Sequence, residues 1–249
     1  MIATSEQLGL KFKFKSQDVV GRHIYKYDIH ELEITKALLS EITVKEGDIM
    51  LDVGANIGWY ALVFAKQGVK VHAFEPDPLN FKLLNENIKI NKLSDLVTSH
   101  PLAVSDKKST MSLYLYPHRN RGRHSLNPNI GCKKIDVQTI TLNEFLEENQ
   151  IDVTRIKLIK IDIEGHELPA LQGARKILEH VPNLLIEHGP EHIRKGGFIP
   201  NDIIDLLHHY HYKPYTVTKE GVREATIQDL YSDENEQNLF WRKSQPTQS

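Results

Sequence analysis

Apolar positions recur along this chain in two rhythms that alternate almost from start to finish. Short, nearly continuous apolar runs at residues 49–53, 69–74, 96–104, 156–161 and 183–187 have the length and β-branched content of buried strands. Between them, apolar residues return every three or four positions: Leu32, Leu38, Leu39 and Ile42, then Leu79, Leu83, Ile88 and Ile90, then Leu168, Leu171, Ala174 and Leu178, then Ile203, Ile204, Leu206 and Leu207. That spacing lays one apolar stripe along a helix. Period-two alternation marks residues 10–15, 111–116 and 135–140 as strands with one wet face. The third strand is expected to turn through Lys107, Lys108 and Ser109 into the strand at 111–116, and the lysines of 10–15 to guard a sheet edge.

Punctuation fixes several boundaries. Pro78 opens a helix that Asn91 closes, and Thr141 with Glu144 three residues on forms a capping-box pattern. One helix is expected over 167–180, and the chain ends in two strand-like runs, 212–218 and 238–242. Strand and helix in alternation predict an α/β, doubly wound, mostly parallel sheet, and the ending adds an antiparallel C-terminal strand. We read residues 1–249 as one domain: an N-terminal, cap-like extension over 1–47, a core over 48–243 and a tail over 244–249.

Composition narrows the partners. A net charge of −2 over 249 residues argues against a surface built to neutralise nucleic-acid phosphates or an anionic membrane. No apolar run reaches the roughly 20 residues of a membrane span. Cys132 is the single cysteine, so neither an internal disulfide nor a cysteine-rich zinc site is available, and a reducing cytoplasm suits it. A small-molecule partner is expected.

In doubly wound sheets, ligands sit at the carboxyl ends of the strands. Asp52, Glu75, Asp106, Asp162, Glu164, Glu187 and His188 all follow predicted strands at that end. Gly54, Asn56 and Gly58 form the first strand–helix turn, with residue types that tolerate a left-handed backbone or a close ligand. Glu75, one βα unit later, is placed to accept hydrogen bonds from a ribose diol, so the cofactor carries a nucleoside. Asp106 is a candidate for contact with its base. His166 and Glu167 read as residues of a helix N-terminus, where a carboxylate is favoured by the helix dipole. Between 117 and 134 apolar residues thin out, and Arg119, Arg121 and Arg123 sit in a long loop suited to an anionic group.

Asp52-Val53-Gly54-Ala55-Asn56-Ile57-Gly58, Phe74-Glu75-Pro76, Ala103-Val104-Ser105-Asp106 and Lys160-Ile161-Asp162-Ile163-Glu164-Gly165-His166-Glu167 together resemble the FkbM-type family of S-adenosylmethionine-dependent methyltransferases, from about Asp48 to about His188. The resemblance implies a Rossmann-like class I methyltransferase fold, S-adenosylmethionine as methyl donor, and O-methylation of a hydroxyl on a sugar or natural product. By position, Asp52, Gly54, Asn56 and Gly58 would cradle the methionine end, Glu75 the ribose and Asp106 the adenine. Asp162 is the first choice as base, His188 the second, and Glu164 would orient Asp162. Asp162, Glu187 and His188 could instead hold Mg²⁺ or a similar hard cation. An NAD(P)-dependent oxidoreductase would share the first βα unit and Glu75. Against it stand Trp59-Tyr60 after Gly58 and the acidic turn at Asp162. A nucleic-acid methyltransferase is a further alternative, from the weak Asn-Pro signal at Asn127-Pro128, as is a non-enzymatic binding module of the same fold.

Overall fold

A computed structural model describes residues 1–16, 18–116, 124–128, 133–231 and 237–244. Arg119, Arg121, Arg123 and Cys132 lie outside the described residues. In chain order the elements are β1 (Ile2–Ser5), β2 (Leu10–Lys13), α1 (Val19–Tyr27), α2 (Leu32–Glu41), β3 (Ile49–Val53), α3 (Trp59–Ala65), β4 (Lys70–Phe74), α4 (Pro78–Ile90), β5 (Val97–His100), β6 (Ala103–Val104), β7 (Ser109–Leu115) and β8 (Lys133–Ile140). There follow α5 (Leu142–Glu148), β9 (Ile156–Ile161), α6 (Glu167–Gln172), α7 (Arg175–Leu178), β10 (Asn183–His188), α8 (Pro190–Lys195), α9 (Pro200–His209), β11 (Tyr212–Thr218), β12 (Gly221–Glu224), α10 (Ile227–Tyr231) and β13 (Gln237–Lys243).

Eight strands form the central sheet, in the order β12-β11-β13-β10-β9-β3-β4-β5. The five strands from β10 to β5 run parallel, and β13 enters antiparallel between β10 and β11. From β3 the chain winds outward through β4 and β5, then crosses back to β9 and β10 on the other side. The gap between the carboxyl ends of β3 and β9 is therefore the switch point where such sheets bind ligands. Helices cover both faces. Met50 and Leu158 pack with α3, α4 and the N-terminal residues Phe12, Phe14, Ile24 and Leu38. On the opposite face Leu51, Val53, Ile159 and Ile161 pack with α5, α6, α7 and α9.

Several expectations are corrected. The third strand divides at Pro101, which has no amide to continue a ladder. Its first part, β5, stays in the central sheet, while β6 pairs parallel with β8. The turn at 107–109 is consequently no β6–β7 hairpin, because β7 also pairs with β8, in a separate sheet of order β6-β8-β7. The helix expected over 167–180 is two helices: the Gly173 carbonyl accepts from the Asn143 amide at 3.1 Å, and a side chain at Gly173 would collide with the Ser105 backbone. β1, α1, α8, β12 and α10 were not anticipated. β2 does lie at an edge, in a two-stranded sheet with β1, and its free side is occupied by asparagines of α4 and its C-cap: Asn87 and Asn91 hydrogen-bond the backbone of Lys13 and Lys11.

Candidate active site

The switch-point cleft encloses about 1090 Å³ of empty space, counting its open mouth, a size suited to a small molecule. At one end, Gly54 adopts φ 79° and Asn56 φ 52°. A side chain at Gly54 would collide with the Asp162 carbonyl, so only glycine lets β3 and β9 close on the turn. Asn56 keeps its Oδ1 buried and unpartnered against the cleft. The Glu75 carboxylate accepts from the Asn56 amide at 2.8 Å and from the Asp77 amide at 2.9 Å. Burial pushes its pKa up to about 8, the Asp77 and Asn56 amide donors notwithstanding. An acid that close to neutrality, in a cleft wall, is poised to be ionised by hydroxyl donors from a ligand. Leu102, Ala103 and Val104 add an apolar wall beside it.

Lys160 organises the other end. It sits opposite Asp52 in the β3–β9 register, and strand alternation turns both side chains to the face occupied by Tyr60. Its Nζ lies 3.0 Å from Asp162 Oδ2, 3.9 Å from Asp52 Oδ1 and 3.2 Å from the Gly54 carbonyl oxygen. Burial alone would lower this lysine, but Asp162 and Asp52 overcome that and hold it above its usual range, protonated. Asp52 is raised by burial to about 6, against the pull of Lys160. Sequence reasoning passed over Lys160, although a lysine between Ile159 and Ile161 in a mostly apolar central strand was the available signal.

Gly54, Asn56, Glu75, Asp162, Glu164 and Glu187 line the cleft; Asp52, Gly58, Asp106 and His188 do not. Asp52 lies behind Lys160. Gly58 opens α3 at φ 95°, where a Cβ would come within 2.6 Å of Leu84 Cδ1, so it serves helix packing. Asp106 is exposed and accepts from Ser105 Oγ at 3.1 Å. His188 follows Glu187 on β10 and therefore points to the opposite face, its Nε2 3.1 Å from the Leu230 carbonyl oxygen. Burial lowers its pKa.

The acidic turn after β9 is built by residues read from sequence as a plain helix start. Glu167 is buried, and its Oε1 accepts from the amides of Ile163 and Gly165, both at 3.1 Å. Burial raises it to about 7. His166 is buried as well and bridges Ser105 Oγ at 3.0 Å and Asn127 Oδ1 at 3.1 Å. This clamp holds Glu164 at φ 57°. Glu164 Oε2 comes 3.1 Å from Nδ1 of His192, on the unanticipated α8. Among the described residues, Glu164, Glu187 and His192 bring donor atoms within 4.8 Å of one another, so Glu164 and His192, rather than Asp162 and His188, stand with Glu187 in a set that could hold a cation.

The profile of the methyltransferase FkbM domain matches residues 52–214. The chain belongs to the FkbM methyltransferase family. Among characterised relatives, it is 29% identical over 177 residues to the hexuronic acid methyltransferase AglP of Haloferax volcanii, covering 71% of this chain and 67% of that one. It is also 29% identical over 161 residues to the 31-O-demethyl-FK506 methyltransferase FkbM of Streptomyces tacrolimicus, covering 53% of this chain and 61% of that one. Two solved structures share the fold: the methyltransferase FkbM of Methylobacillus flagellatus (TM-score 0.53, 20% identity, 88% of this chain and 49% of that one) and a METTL16 methyltransferase domain (TM-score 0.54, 12% identity, 96% and 76%). The fold is thus that of class I methyltransferases, with the β13 insertion expected of them. The FkbM-family match begins at Asp52, so α1, α2 and the β1–β2 hairpin lie outside it. Among the described residues, no helix is long and apolar enough to cross a membrane.

Proposed function

We propose that this chain transfers the methyl group of S-adenosylmethionine to an oxygen of a small hydroxylated acceptor, a hexuronic acid or related sugar. The observation that carries the reading is the single cleft that joins a nucleoside-type acid, Glu75, to a charged pair, Asp162 and Lys160, across the Gly54–Asn56 turn. The buried, unpartnered Asn56 Oδ1 and the Glu75 carboxylate fit the polar groups of the cofactor, and Leu102, Ala103 and Val104 fit its flat base. When bound, S-adenosylmethionine supplies a methyl group already activated by its sulfonium. The protein must then fix the acceptor oxygen in line with that methyl and relieve the acceptor of its proton. Asp162, paired with Lys160 at 3.0 Å, would take the proton of the acceptor hydroxyl as that oxygen receives the methyl group. Glu164 and Glu187 bind acceptor hydroxyls, and Arg119, Arg121 and Arg123 suit an anionic acceptor. The hexuronic acid acceptor named for AglP is of that kind.

Calorimetry with S-adenosylmethionine and with NAD, followed by tritiated methyl transfer to D-glucuronate, D-galacturonate and neutral hexoses, tests the reading. Binding of the first cofactor alone and transfer to a uronate are expected; NAD binding without S-adenosylmethionine binding overturns it. A second reading places a divalent cation among Glu164, Glu187 and His192, whose oxygen-rich set with one imidazole suits a hard or borderline ion. Manganese titration followed by electron paramagnetic resonance should then report one bound ion per chain. Turnover that survives exhaustive chelation removes the cation from the reaction.

A further inference from the structure

The segment that precedes the family match supplies a wall of the cleft. Val19 and Val20 of α1 line it, and so does His30, in the bend between α1 and α2. The bend is held from several sides. Glu31, at φ 46°, accepts from the Tyr60 hydroxyl and from Asn238 Nδ2, the latter at 3.1 Å, so it ties the bend to α3 and to β13. The His30 carbonyl accepts from Thr35 Oγ1 at 2.9 Å, and that hydroxyl accepts in turn from Trp59 Nε1 at 3.0 Å. The His30 ring stands edge-on to Trp59, with centroids 6.1 Å apart, and tilts against His23 at 5.4 Å. The ring is thus flanked by Trp59 and His23 while its backbone is tied through Thr35.

His30 Nδ1 is buried there with no hydrogen-bond partner within the protein, and the residue lines the cleft. Leaving a buried polar atom unmatched is costly unless a ligand completes it. The charged groups of the cleft floor, Lys160 and Asp162, both act on the ring: burial, His23 and Lys160 lower its pKa to about 4 while Asp162 opposes them. The imidazole is therefore neutral at physiological pH and offers one donor and one acceptor nitrogen. A neutral ring next to an ammonium–carboxylate pair suits a hydroxyl, which can both give and receive a hydrogen bond.

We infer that His30, contributed by the N-terminal segment, is an acceptor-binding residue whose imidazole hydrogen-bonds a hydroxyl of the sugar in the cleft that it shares with Asp162. The N-terminal segment is then a specificity element of the active site. The inference rests on the methyltransferase reading, and its test separates the two. His30→Phe keeps a ring of similar size without polar atoms, whereas His30→Asn places an amide near the position of Nδ1. S-adenosylmethionine affinity is measured by calorimetry, and tritiated methyl transfer to D-glucuronate gives kcat and KM. His30→Phe should leave cofactor affinity within about twofold and lower kcat/KM by about 10- to 100-fold, the range for an unmatched buried hydrogen bond. His30→Asn should restore part of that loss, and glucuronate should shift the His30 ring resonances of the wild-type protein saturated with S-adenosylhomocysteine. Wild-type kcat/KM in His30→Phe, or His30→Asn worse than His30→Phe, overturns the inference and leaves a packing role. A wild-type chain that neither binds S-adenosylmethionine nor methylates glucuronate overturns the reading beneath it.

Discussion

Glu75 shows how much one carboxylate can report. Its folded pKa of about 8 stands well above the ordinary carboxylate value, with burial as the leading cause. Between the ordinary value and 8, the folded protein holds a proton that the unfolded chain has lost, so ionising Glu75 weakens the fold as pH rises through that window. Ribose hydroxyls donating to the carboxylate would favour its charged form and lower the pKa on binding. Titrating S-adenosylhomocysteine at pH 7 in phosphate and in Tris, whose ionisation enthalpies differ, should therefore reveal net proton release of up to about one proton. Proton uptake, or none, would remove Glu75 from the ribose. Asp162 gives the complementary test. Asp162→Asn should keep cofactor affinity within about threefold and reduce turnover by about 10²- to 10⁴-fold, the usual contribution of a general base; unchanged turnover would disqualify it.

At the scale of elements, the parts legible in the sequence were those fixed by local periodicity. β3, β4, β9 and β10 are short, mostly apolar runs, and the Thr141–Glu144 capping box forms as spaced, with the Glu144 amide donating to Thr141 Oγ1 at 3.0 Å. What was hidden depends on contacts between distant segments. Nothing near Gly173 announces that its carbonyl is drawn to Asn143, and nothing near His192 announces that α8 returns it to Glu164. Side-chain direction was hidden by one position: Glu187 and His188 looked equivalent, yet strand alternation sends one into the cleft and the other away from it. Glu167 was misplaced because a carboxylate at a helix start has an ordinary explanation in the dipole. Its actual role is measurable. Glu167→Ala leaves the amides of Ile163 and Gly165 unmatched in a buried turn, a loss of about 1–3 kcal/mol for each. Thermal denaturation should fall by roughly 2–4 °C per kcal/mol in a chain of this size. Glu167→Gln keeps an acceptor oxygen in place and should recover most of the loss; equal damage from both would show that charge, and not the clamp, holds the turn.

Across the whole molecule, the N-terminal 47 residues behave as part of the core and not as a removable cover. Phe12, Phe14, Ile24 and Leu38 are buried in the same cluster as Trp59, Phe64 and Leu84. The polar link between the two regions converges on Asn87, wholly buried in α4. Its Oδ1 accepts from the Lys13 amide at 2.6 Å, and its Nδ2 donates to the carbonyls of Lys13 at 3.1 Å and Ile57 at 2.9 Å. One side chain thus fastens the β1–β2 hairpin to the helix after Glu75 and to the turn that carries Asn56. Asn87→Leu preserves volume but removes all three bonds and leaves buried backbone groups unmatched. The hairpin should then open at lower free energy than the rest of the fold, since local opening follows the weakest set of contacts. Amide exchange in β1 and β2 should accelerate by about 10-fold or more, equivalent to about 1.4 kcal/mol, while β3 and β9 keep their protection. S-adenosylhomocysteine affinity should fall with it, because the Ile57 carbonyl follows Asn56 in the turn proposed to hold the cofactor. Uniform acceleration across the central sheet would instead mean that the hairpin and the core open as one unit. Unchanged exchange in β2 would show that apolar packing of Phe12 and Phe14 alone holds the N-terminal segment against the site.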